Sequence, residues 1–185
     1  PVKCVVVDSF DHTYLMGRDY TVTHNSSQLS VLRVVWELGR NPNLRVAIIS
    51  RATDAAAKIG SQVRALIESS DRVHEVFPAL RPSKGKWTDT AFNVVRTRAV
   101  RDYSVRCAGL DTALLGSRFD LVILDDILAN ENTRTPEQRK LVKDWYKANI
   151  IGRLTQRARV VAVGTPWDPE DLYHEFAGNP RWRSH

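Results

Sequence analysis

Residues 119–126 read Phe-Asp-Leu-Val-Ile-Leu-Asp-Asp, a short apolar run that ends in two consecutive aspartates. Such a continuously apolar run is typical of a strand that is buried on both faces of a parallel sheet. Ligands of open α/β sheets bind beyond the carboxyl ends of these strands. The stretch therefore predicts a strand that delivers Asp125 and Asp126 to a binding edge. The alternative is a strand end that is capped by acidic loop residues.

Strands and helices alternate on either side of this stretch. Buried strands are predicted at residues 45–50 and 159–163, and helices at residues 53–68 and from Thr135 to about Ile150. This alternation predicts an α/β fold, a parallel sheet with helices on both faces. Three further elements are predicted: a helix from Ser26 to about Gly39 with Leu29, Leu32, Val35 and Trp36 inward, a hairpin-like pair of strands at residues 91–95 and 103–106, and a short helix near residues 169–176.

The Asp125-Asp126 pair at the end of an apolar strand has the Walker B form. Phosphoryl transfer from ATP needs one carboxylate to hold Mg²⁺ through water and another to orient or deprotonate the attacking water. Thr165 follows the predicted strand at residues 159–163, so it is expected at the same edge of the sheet. A threonine after a strand is also a common turn residue, and its role stays open on this ground.

Ser26 and Ser27 open the first helix of the α/β region. The phosphate-binding sequence G-x-x-x-x-G-K-S/T is absent from the chain. However, Ser-Ser followed by an amphipathic helix is what normally continues after its Gly-Lys. Ser26 would then be the hydroxyl that binds Mg²⁺, with Ser27 beside the nucleotide. Simple helix capping explains both serines as well.

The residues just before this helix suggest a second chemistry. An asparagine side chain can attack its own backbone carbonyl and break the following peptide bond when the fold holds the two groups together. A neighbouring histidine can protonate the leaving amine, and the next residue needs a hydroxyl or thiol to receive an acyl group. His24, Asn25 and Ser26 supply these groups in that order. The tripeptide also occurs by chance in many proteins.

Residues 1–25 resemble the two C-terminal motif blocks of inteins, which belong to the Hint-type fold. By this resemblance, His24 assists the cyclisation of Asn25, His12 helps to position that step, and the N-terminal half of the intein is missing. Cys4 and Thr23 match inteins that use an internal cysteine as nucleophile. The alternative for Cys4 is a small buried hydrophobe. Short strands are predicted here at residues 5–8, 13–15 and 20–22.

Residues 26–176 resemble the ATPase domain of the large terminase subunit of tailed bacteriophages, a P-loop NTPase-like parallel sheet flanked by helices. By this resemblance, the cofactors are ATP and Mg²⁺, Asp125 holds Mg²⁺ through water, Asp126 is the catalytic carboxylate, and Thr165 relays hydrolysis to movement. The usual catalytic residue is glutamate, so Asp126 departs from the family pattern. The resemblance rests on Ser26-Ser27-Gln28-Leu29, Ile48-Ile49-Ser50, Leu115-Gly116-Ser117-Arg118, residues 121–126, residues 163–167 and Glu170-Asp171-Leu172-Tyr173.

The same resemblance implies partners and a location. The partners are double-stranded DNA, a small terminase subunit and a portal, and the assembled motor is expected to be a homo-oligomer. The location is the cytoplasm of the bacterial host, at the procapsid. A net charge of +6 permits a polyanionic partner without requiring one.

The length and composition limit the classes of protein to which the chain can belong. The chain has 185 residues, of which 43% are hydrophobic, enough for one α/β domain at residues 26–185 behind a short β segment at residues 1–25. There is no signal peptide and no apolar run long enough to span a membrane. Cys4 and Cys107 do not suggest a disulfide scaffold and fit a reducing compartment. Because the chain begins at Pro1 and lacks the P-loop glycines and a nuclease domain, a fragment is expected.

Three alternatives stay open at this point. One is a helicase or other P-loop ATPase that hosts the same intein, another is the C-terminal piece of a split intein, and the third is a non-enzymatic nucleic-acid-binding module. Arg118 fits an approach to nucleotide or DNA as well as it fits a surface charge, and Trp167 is expected to pack. Arginine runs occur at positions 96, 98, 101 and 106, and at 153, 157 and 159, where a solvated face is the plain alternative.

Overall fold

The computed structural model describes the backbone of residues 2–5, 13–16, 21–24, 26–112, 114 and 116–184, and the side chains of this set from residue 27 to 183. His12, Asn25 and Leu115 lie outside the described residues. For Cys4, Thr23, His24 and Ser26, the description is limited to the backbone.

The elements follow the predicted alternation of strands and helices along the chain. A π-helical segment, Ser26–Leu32, leads directly into the first α-helix, and a 3-10 turn, Ile151–Arg153, precedes the longest strand. The strands are β1 (Val2–Val5), β2 (Thr13–Met16), β3 (Thr21–His24), β4 (Val46–Ser50), β5 (Pro82–Trp87), β6 (Ala91–Val94), β7 (Val105–Gly109), β8 (Phe119–Asp125), β9 (Leu154–Val163) and β10 (Trp182–Ser184), and the helices are α1 (Arg33–Arg40), α2 (Thr53–Ser69), α3 (Asp71–Val76), α4 (Asn130–Thr133), α5 (Pro136–Asn149) and α6 (Leu172–Ala177).

The main sheet has the order β10-β1-β9-β8-β4-β7-β6-β5. Every pair from β10 to β7 is parallel. At the other edge, β6 pairs antiparallel with both β7 and β5. This confirms the predicted parallel sheet and the hairpin-like excursion, to which the structure adds β5.

Both faces of the sheet are buried, as the continuously apolar strands predicted. In β8, Leu121 and Ile123 belong to the core on one face, while Val122 and Leu124 belong to the core on the other. Helices α1 and α2 cover the first face and α5 and α6 cover the second. Burial of large aliphatic side chains stabilises the fold by about 1.5–3 kcal/mol for each side chain. Strand β8 is thus held from both sides along its whole length.

Two helices begin or pack as their sequences predicted. Thr135 caps α5: its hydroxyl accepts a hydrogen bond from the Gln138 backbone N–H, and the Gln138 side chain accepts one from the Thr135 backbone N–H. Pro136 occupies the first turn of this helix, where its missing N–H costs nothing. In α2, the four predicted inward residues are all buried: Ala56, Ile59, Val63 and Ile67.

The inward face of the first helical stretch was predicted correctly at Leu29 and Val35, which belong to or pack against the core, and incorrectly at Leu32 and Trp36. Leu32 is 42% exposed and Trp36 is 49% exposed, whereas Ser30, Val31 and Val34 are buried. The reason is the π-helical segment Ser26–Leu32. Its hydrogen bonds close at i→i+5 instead of i→i+4, so each turn is wider and the buried stripe moves away from the positions that a 3.6-residue period selects.

The region before Ser26 divides into two parts. β2 and β3 form a separate antiparallel hairpin in which Thr13 pairs with His24 and Met16 with Thr21, confirming two of the three predicted short strands. β1, in contrast, is inserted into the main sheet between β9 and β10. A wholly separate β segment in front of the α/β domain is therefore not observed. The division at residues 25 and 26 stays a prediction.

Several elements were not predicted. They are the short strands β5 and β10, the short helices α3 and α4, and the amino-terminal half of β9, which starts at Leu154. These segments are short or polar, so their periodicity is weak. Among the residues that the structure describes, no helix is long and apolar enough to cross a membrane.

Candidate functional site

Three neighbouring strands end at the same level of the sheet. In the β4–β8 pair Ser50 lies opposite Asp125, and in the β8–β9 pair Asp125 lies opposite Val163. A cleft of about 380 Å³ opens beyond these ends. Because carboxyl ends of parallel strands carry the ligand sites of open α/β sheets, this cleft is the candidate site. It is lined by Ser50, Arg51, Ala55, Lys58, Ile59, Asp125, Asp126, Leu128, Ala129, Thr165 and Trp167.

Asp125 lies at the base of this cleft and is 5% exposed. Its carboxylate accepts a hydrogen bond from the Ser30 hydroxyl, which is itself completely buried. Ser30 belongs to the π-helical segment, so this contact fixes the segment against the end of β8. A buried carboxylate that is satisfied by a hydroxyl is an arrangement that accepts a cation without rebuilding the site.

The described hydroxyl that meets Asp125 belongs to Ser30, a serine that the sequence pattern did not single out. The Mg²⁺-binding role assigned to Ser26 stays a prediction. Ser27 is exposed, and the Ser26 side chain lies outside the described residues. Ser30 follows Ser26 by four residues, about one helical turn, and faces the sheet. A lone serine among apolar inward positions was the only signal for it in the sequence.

Asp126 follows directly and is exposed to the cleft. Its φ of 46° places it in the left-handed region, which a non-glycine residue seldom occupies. The Asp126 N–H donates to the Val163 carbonyl at 2.9 Å, so the end of β9 holds this turn. Strained backbone of this kind clusters at functional sites.

Thr165 and Trp167 line the same cleft as the two aspartates. The structure therefore brings together Asp125, Asp126 and Thr165, as their positions at predicted strand ends suggested. Trp167 is 55% exposed, and the expectation that it packs is wrong. The catalytic roles assigned to these residues remain predictions.

A buried aspartate holds the loop that carries Thr165. Asp171 is 1% exposed and accepts hydrogen bonds from the backbone N–H of Trp167 at 2.7 Å and of Asp168 at 3.2 Å. It also caps α6 by accepting from the His174 N–H at 3.0 Å. One carboxylate thus joins the loop after β9 to the start of α6.

Two basic residues that the sequence did not single out complete the rim of the cleft. Arg51 follows β4 directly and Lys58 lies one turn and a half into α2; both are exposed. The Arg51 guanidinium lies 3.7 Å from the Glu131 carboxylate, a solvent-exposed pair of small energetic value. Positive charge opposite two aspartates suits a ligand that combines phosphate groups with a cation.

A larger depression of about 600 Å³ lies between α5 and α6. Two of its basic side chains pair with acidic ones: Arg139 with Glu170 at 2.9 Å and Lys143 with Glu175 at 3.4 Å. These pairs join the two helices, and the depression lies away from the carboxyl ends of the parallel strands, where ligands of such sheets bind. We therefore place the chemistry at the smaller cleft.

The arginine runs have structural partners in part. Arg96 donates to the Asp102 carbonyl at 2.6 Å, and Arg159 donates to Glu37 at 2.8 Å, which ties β9 to α1. Arg118 donates to the Gly152 carbonyl at 3.0 Å, near the amino end of β8 and so away from the cleft. These contacts favour a structural role for the three side chains.

The residues assigned to splicing are described only in part. His12 and Asn25 lie outside the described residues. Thr23 and His24 belong to β3, with His24 at its carboxyl end. Cys4 belongs to β1, where it lies opposite Ala162 of β9.

The chain is similar to a curated protein of known family. The chain is 29% identical over 150 residues to "Terminase, large subunit" of Enterobacteria phage T3, an alignment that covers 79% of this chain. This similarity indicates homology to a terminase large subunit over the aligned region. The chain spans 25% of the length of that relative.

The chain was also compared with solved structures and with protein-family models. The chain aligns with the large terminase ATPase domain of Thermus phage P74-26 at a TM-score of 0.48 and 20% identity, covering 95% of this chain and 62% of the other. No protein-family model matches the chain.

Proposed function

We propose that this chain is part of an ATP-hydrolysing motor that packages DNA into a phage capsid. The observation that carries this proposal is the pair Asp125-Asp126 at the carboxyl end of a buried parallel strand, beside Thr165 in one cleft. Similarity to a terminase large subunit over 79% of the chain supports it.

The residues at the cleft fit ATP and Mg²⁺. Mg²⁺ prefers oxygen ligands and is usually held by one or two carboxylates, with waters and substrate phosphates completing its shell. Asp125 and the Ser30 hydroxyl offer such oxygens at the base of the cleft. Within the described part of the chain, no cluster of three or more acidic, histidine or cysteine residues could form an all-protein metal cage, which agrees with a metal that is bound together with substrate.

The protein groups have distinct tasks in hydrolysis. Bound Mg²⁺ would supply charge neutralisation on the phosphates. Asp126, exposed to the cleft, orients the attacking water and accepts its proton. Thr165 lines the same cleft and would contact the γ-phosphate of bound ATP, and its loop would transmit the loss of that phosphate to the rest of the domain.

The proposed partners follow from the motor. They are double-stranded DNA, a small terminase subunit and a portal, and the assembled motor is a homo-oligomer. It acts at the procapsid in the cytoplasm of the bacterial host. The net charge of +6 is compatible with DNA.

The decisive experiment measures DNA-stimulated ATP hydrolysis by the product of the complete coding sequence. Replacing a general base costs about 10²–10⁴-fold in turnover, so Asp126→Asn is expected to lower kcat by that amount. Asp120→Asn, at the other end of the same strand, is the matched control and should retain turnover for each folded molecule. Full turnover in Asp126→Asn would refute the proposal. In a separate packaging assay, movement along DNA without filling of the capsid would favour a helicase-type ATPase.

We also propose that residues 1–25 are the C-terminal splicing segment of an intein. The β2–β3 hairpin supports this, because it brings the chain to His24 and hence to the Asn25–Ser26 bond. His24 assists cyclisation of Asn25, His12 helps to position that step, and Ser26 receives the upstream chain. Cys4, in the pairing with Thr23, is the internal nucleophile that attacks the upstream junction. Splicing would require the N-terminal half of the intein as a partner.

The splicing proposal is tested by Asn25→Ala in the complete precursor. Blocked removal of the insert, seen as a persistent high-mass band, is the expected result. Removal that is unaffected by Asn25→Ala would leave only an ATPase or a nucleic-acid-binding module. A start codon directly upstream of Pro1 would instead favour a split intein that acts in trans.

A further inference from the structure

Tyr173 joins two strand ends that border the cleft. It belongs to α6, is 4% exposed, and its hydroxyl accepts a hydrogen bond from the Ile127 N–H at 3.3 Å. The same hydroxyl donates to the Val163 carbonyl at 3.2 Å. We call these two hydrogen bonds the Tyr173 bridge. It connects the turn after β8 to the end of β9.

The residue inside this bridged turn is Asp126. Its own N–H donates to the Val163 carbonyl, the same oxygen that accepts from Tyr173. The next N–H in the chain, that of Ile127, is the one that donates to Tyr173. Hydrogen bonds therefore hold the backbone N–H groups of both Asp126 and Ile127. Asp126 has a left-handed φ of 46°, a strained conformation that persists only when surrounding contacts hold it.

Gly164 shows how closely these groups approach each other. A β-carbon at position 164 would lie 2.6 Å from the Tyr173 hydroxyl oxygen and 3.0 Å from Asp126 Oδ1. The φ of Gly164 is 154°, which side-chain-bearing residues seldom adopt. The Tyr173 oxygen and the Asp126 carboxylate thus both face the backbone that leads into Thr165.

We propose that Tyr173 is a positioning residue for ATP hydrolysis. Its hydroxyl holds Asp126 in the conformation that directs the carboxylate into the cleft, and it fixes that turn relative to the strand that ends before Thr165. This inference deepens the proposed ATPase function and rests on it.

A purely structural role is the competing explanation, because Tyr173 also packs in the apolar core on that face of the sheet. Its ring lies 6.3 Å from the Phe176 ring. Tyr146 is 7% exposed in the same core, with its ring 5.0 Å from Phe176. Tyr146→Phe is therefore the matched control: it removes one tyrosine hydroxyl from a buried residue of the same core, outside the Tyr173 bridge.

The first experiment compares Tyr173→Phe and Tyr146→Phe in the product of the complete coding sequence. Loss of a hydrogen bond that orients a catalytic group corresponds to about a tenfold fall in kcat. We expect that fall in Tyr173→Phe, with an unchanged KM for ATP because the nucleotide contacts remain. Tyr146→Phe should retain kcat. Equal kcat values in both variants would overturn the inference.

A second pair of variants tests the link to Gly164. Gly164→Ala places its new methyl group against the Tyr173 oxygen and should lower kcat. Removing that oxygen relieves the nearest contact, so Tyr173→Phe is expected to cost less in the Gly164→Ala background than in the native one. Residues that act as a unit show such non-additivity. Additive effects would contradict the proposed link.

A third measurement does not depend on hydrolysis. Amide hydrogen exchange, followed by mass spectrometry of peptides across residues 124–130, reports on the Ile127 N–H. Tyr173→Phe should increase exchange there, and Tyr146→Phe should not. Unchanged exchange would show that the Tyr173 bridge does not hold the turn.

These readouts separate the two proposals. If Asp126→Asn retains full turnover, the ATPase assignment fails, whatever the exchange data show. If Asp126→Asn is inactive while Tyr173→Phe keeps native kcat and native exchange, the ATPase assignment stands and the role of Tyr173 is refuted.

Discussion

Strand β8 carries one aspartate near its start and another at its end, and their surroundings differ. Asp120 accepts hydrogen bonds from the Arg45 guanidinium at 2.9 Å and from the Thr155 hydroxyl at 2.9 Å. Burial opposes its ionisation, but these hydrogen bonds outweigh burial and hold the pKa of Asp120 below its ordinary value. Asp125 is more deeply buried and meets the Ser30 hydroxyl at the base of the cleft.

The difference shows which acidic group holds the fold and which faces a ligand. Arg45, Asp120 and Thr155 tie together the amino ends of three adjacent strands, β4, β8 and β9. A guanidinium that binds a carboxylate through two nitrogens is a strong and directional contact. At the carboxyl ends, Asp125 and Asp126 instead lie beside hydroxyl groups and an open cleft. The same residue type therefore stabilises one end of the strand and serves the proposed chemistry at the other.

The largest effect is expected at the carboxyl end. Asp125→Asn removes the charge that would hold Mg²⁺, and loss of a key electrostatic group lowers kcat by about 10²–10³-fold. The thermal unfolding midpoint should change little, because asparagine can still accept the Ser30 hydrogen bond. The ATPase rate and the melting temperature of the complete protein check both statements. A large fall in the melting temperature with normal turnover would show that Asp125 stabilises the fold and does not serve the chemistry.

At the amino end, the expected effect is on stability alone. Asp120→Asn removes the nearer of two carboxylates beside Arg45 and leaves Asp102 at 3.8 Å. Losing hydrogen bonds to a charged group lowers the free energy of unfolding by about 1.5–3 kcal/mol. Chemical denaturation measures this change. If Asp120→Asn lost ATP turnover at temperatures where it is fully folded, Asp120 would have a role in catalysis as well as in stability.

The pH dependence of stability is a second test of the stabilising role of Asp120. Because the folded-state pKa of Asp120 lies below its unfolded value of about 4, its contribution is complete above that pH and disappears as the pH falls through the folded-state pKa. The stability difference between the native chain and Asp120→Asn should therefore shrink between neutral pH and pH values below about 4. Denaturation curves at both extremes test the sign; a difference that grows on acidification would be inconsistent with it.

The smallest effect is expected from Thr155→Val. This change removes one hydroxyl donor from Asp120 and keeps the side-chain shape, so the loss should be about 1 kcal/mol. Combining it with Asp120→Asn should cost less than the sum of the two single changes, because both act on one network. Denaturation of the four variants in a double-mutant cycle measures the coupling.

Strong local patterns made most of the fold predictable. The apolar runs of β4 and β8 identified buried strands, and the spacing of Ala56, Ile59 and Val63 identified the inward face of α2. The cap of α5 was readable because its hydrogen bonds join residues three positions apart. The inward face of the first helix was predictable only in part, because its π-helical turns do not follow the 3.6-residue period on which the prediction was based.

The candidate site was predictable only where it follows directly from strand ends. Asp125, Asp126 and Thr165 could be named because parallel strands deliver their carboxyl ends to one edge. Ser30 could not be named, since its contact with Asp125 joins residues 95 positions apart. Tyr173 belongs to a stretch that the sequence singled out, but its contact with Ile127 joins residues 46 positions apart, and no local pattern records it.

The sequence by itself determined the parallel sheet, the alternation of its main strands and helices, and the two adjacent carboxylates at a strand end, because each is encoded in a local run or period. Only the tertiary structure decided that β1 enters the sheet between β9 and β10, that Ser30 meets Asp125, and that Tyr173 holds the turn at Asp126. Packing of side chains from distant parts of the chain selects these contacts, and that selection depends on shape and burial over the whole core.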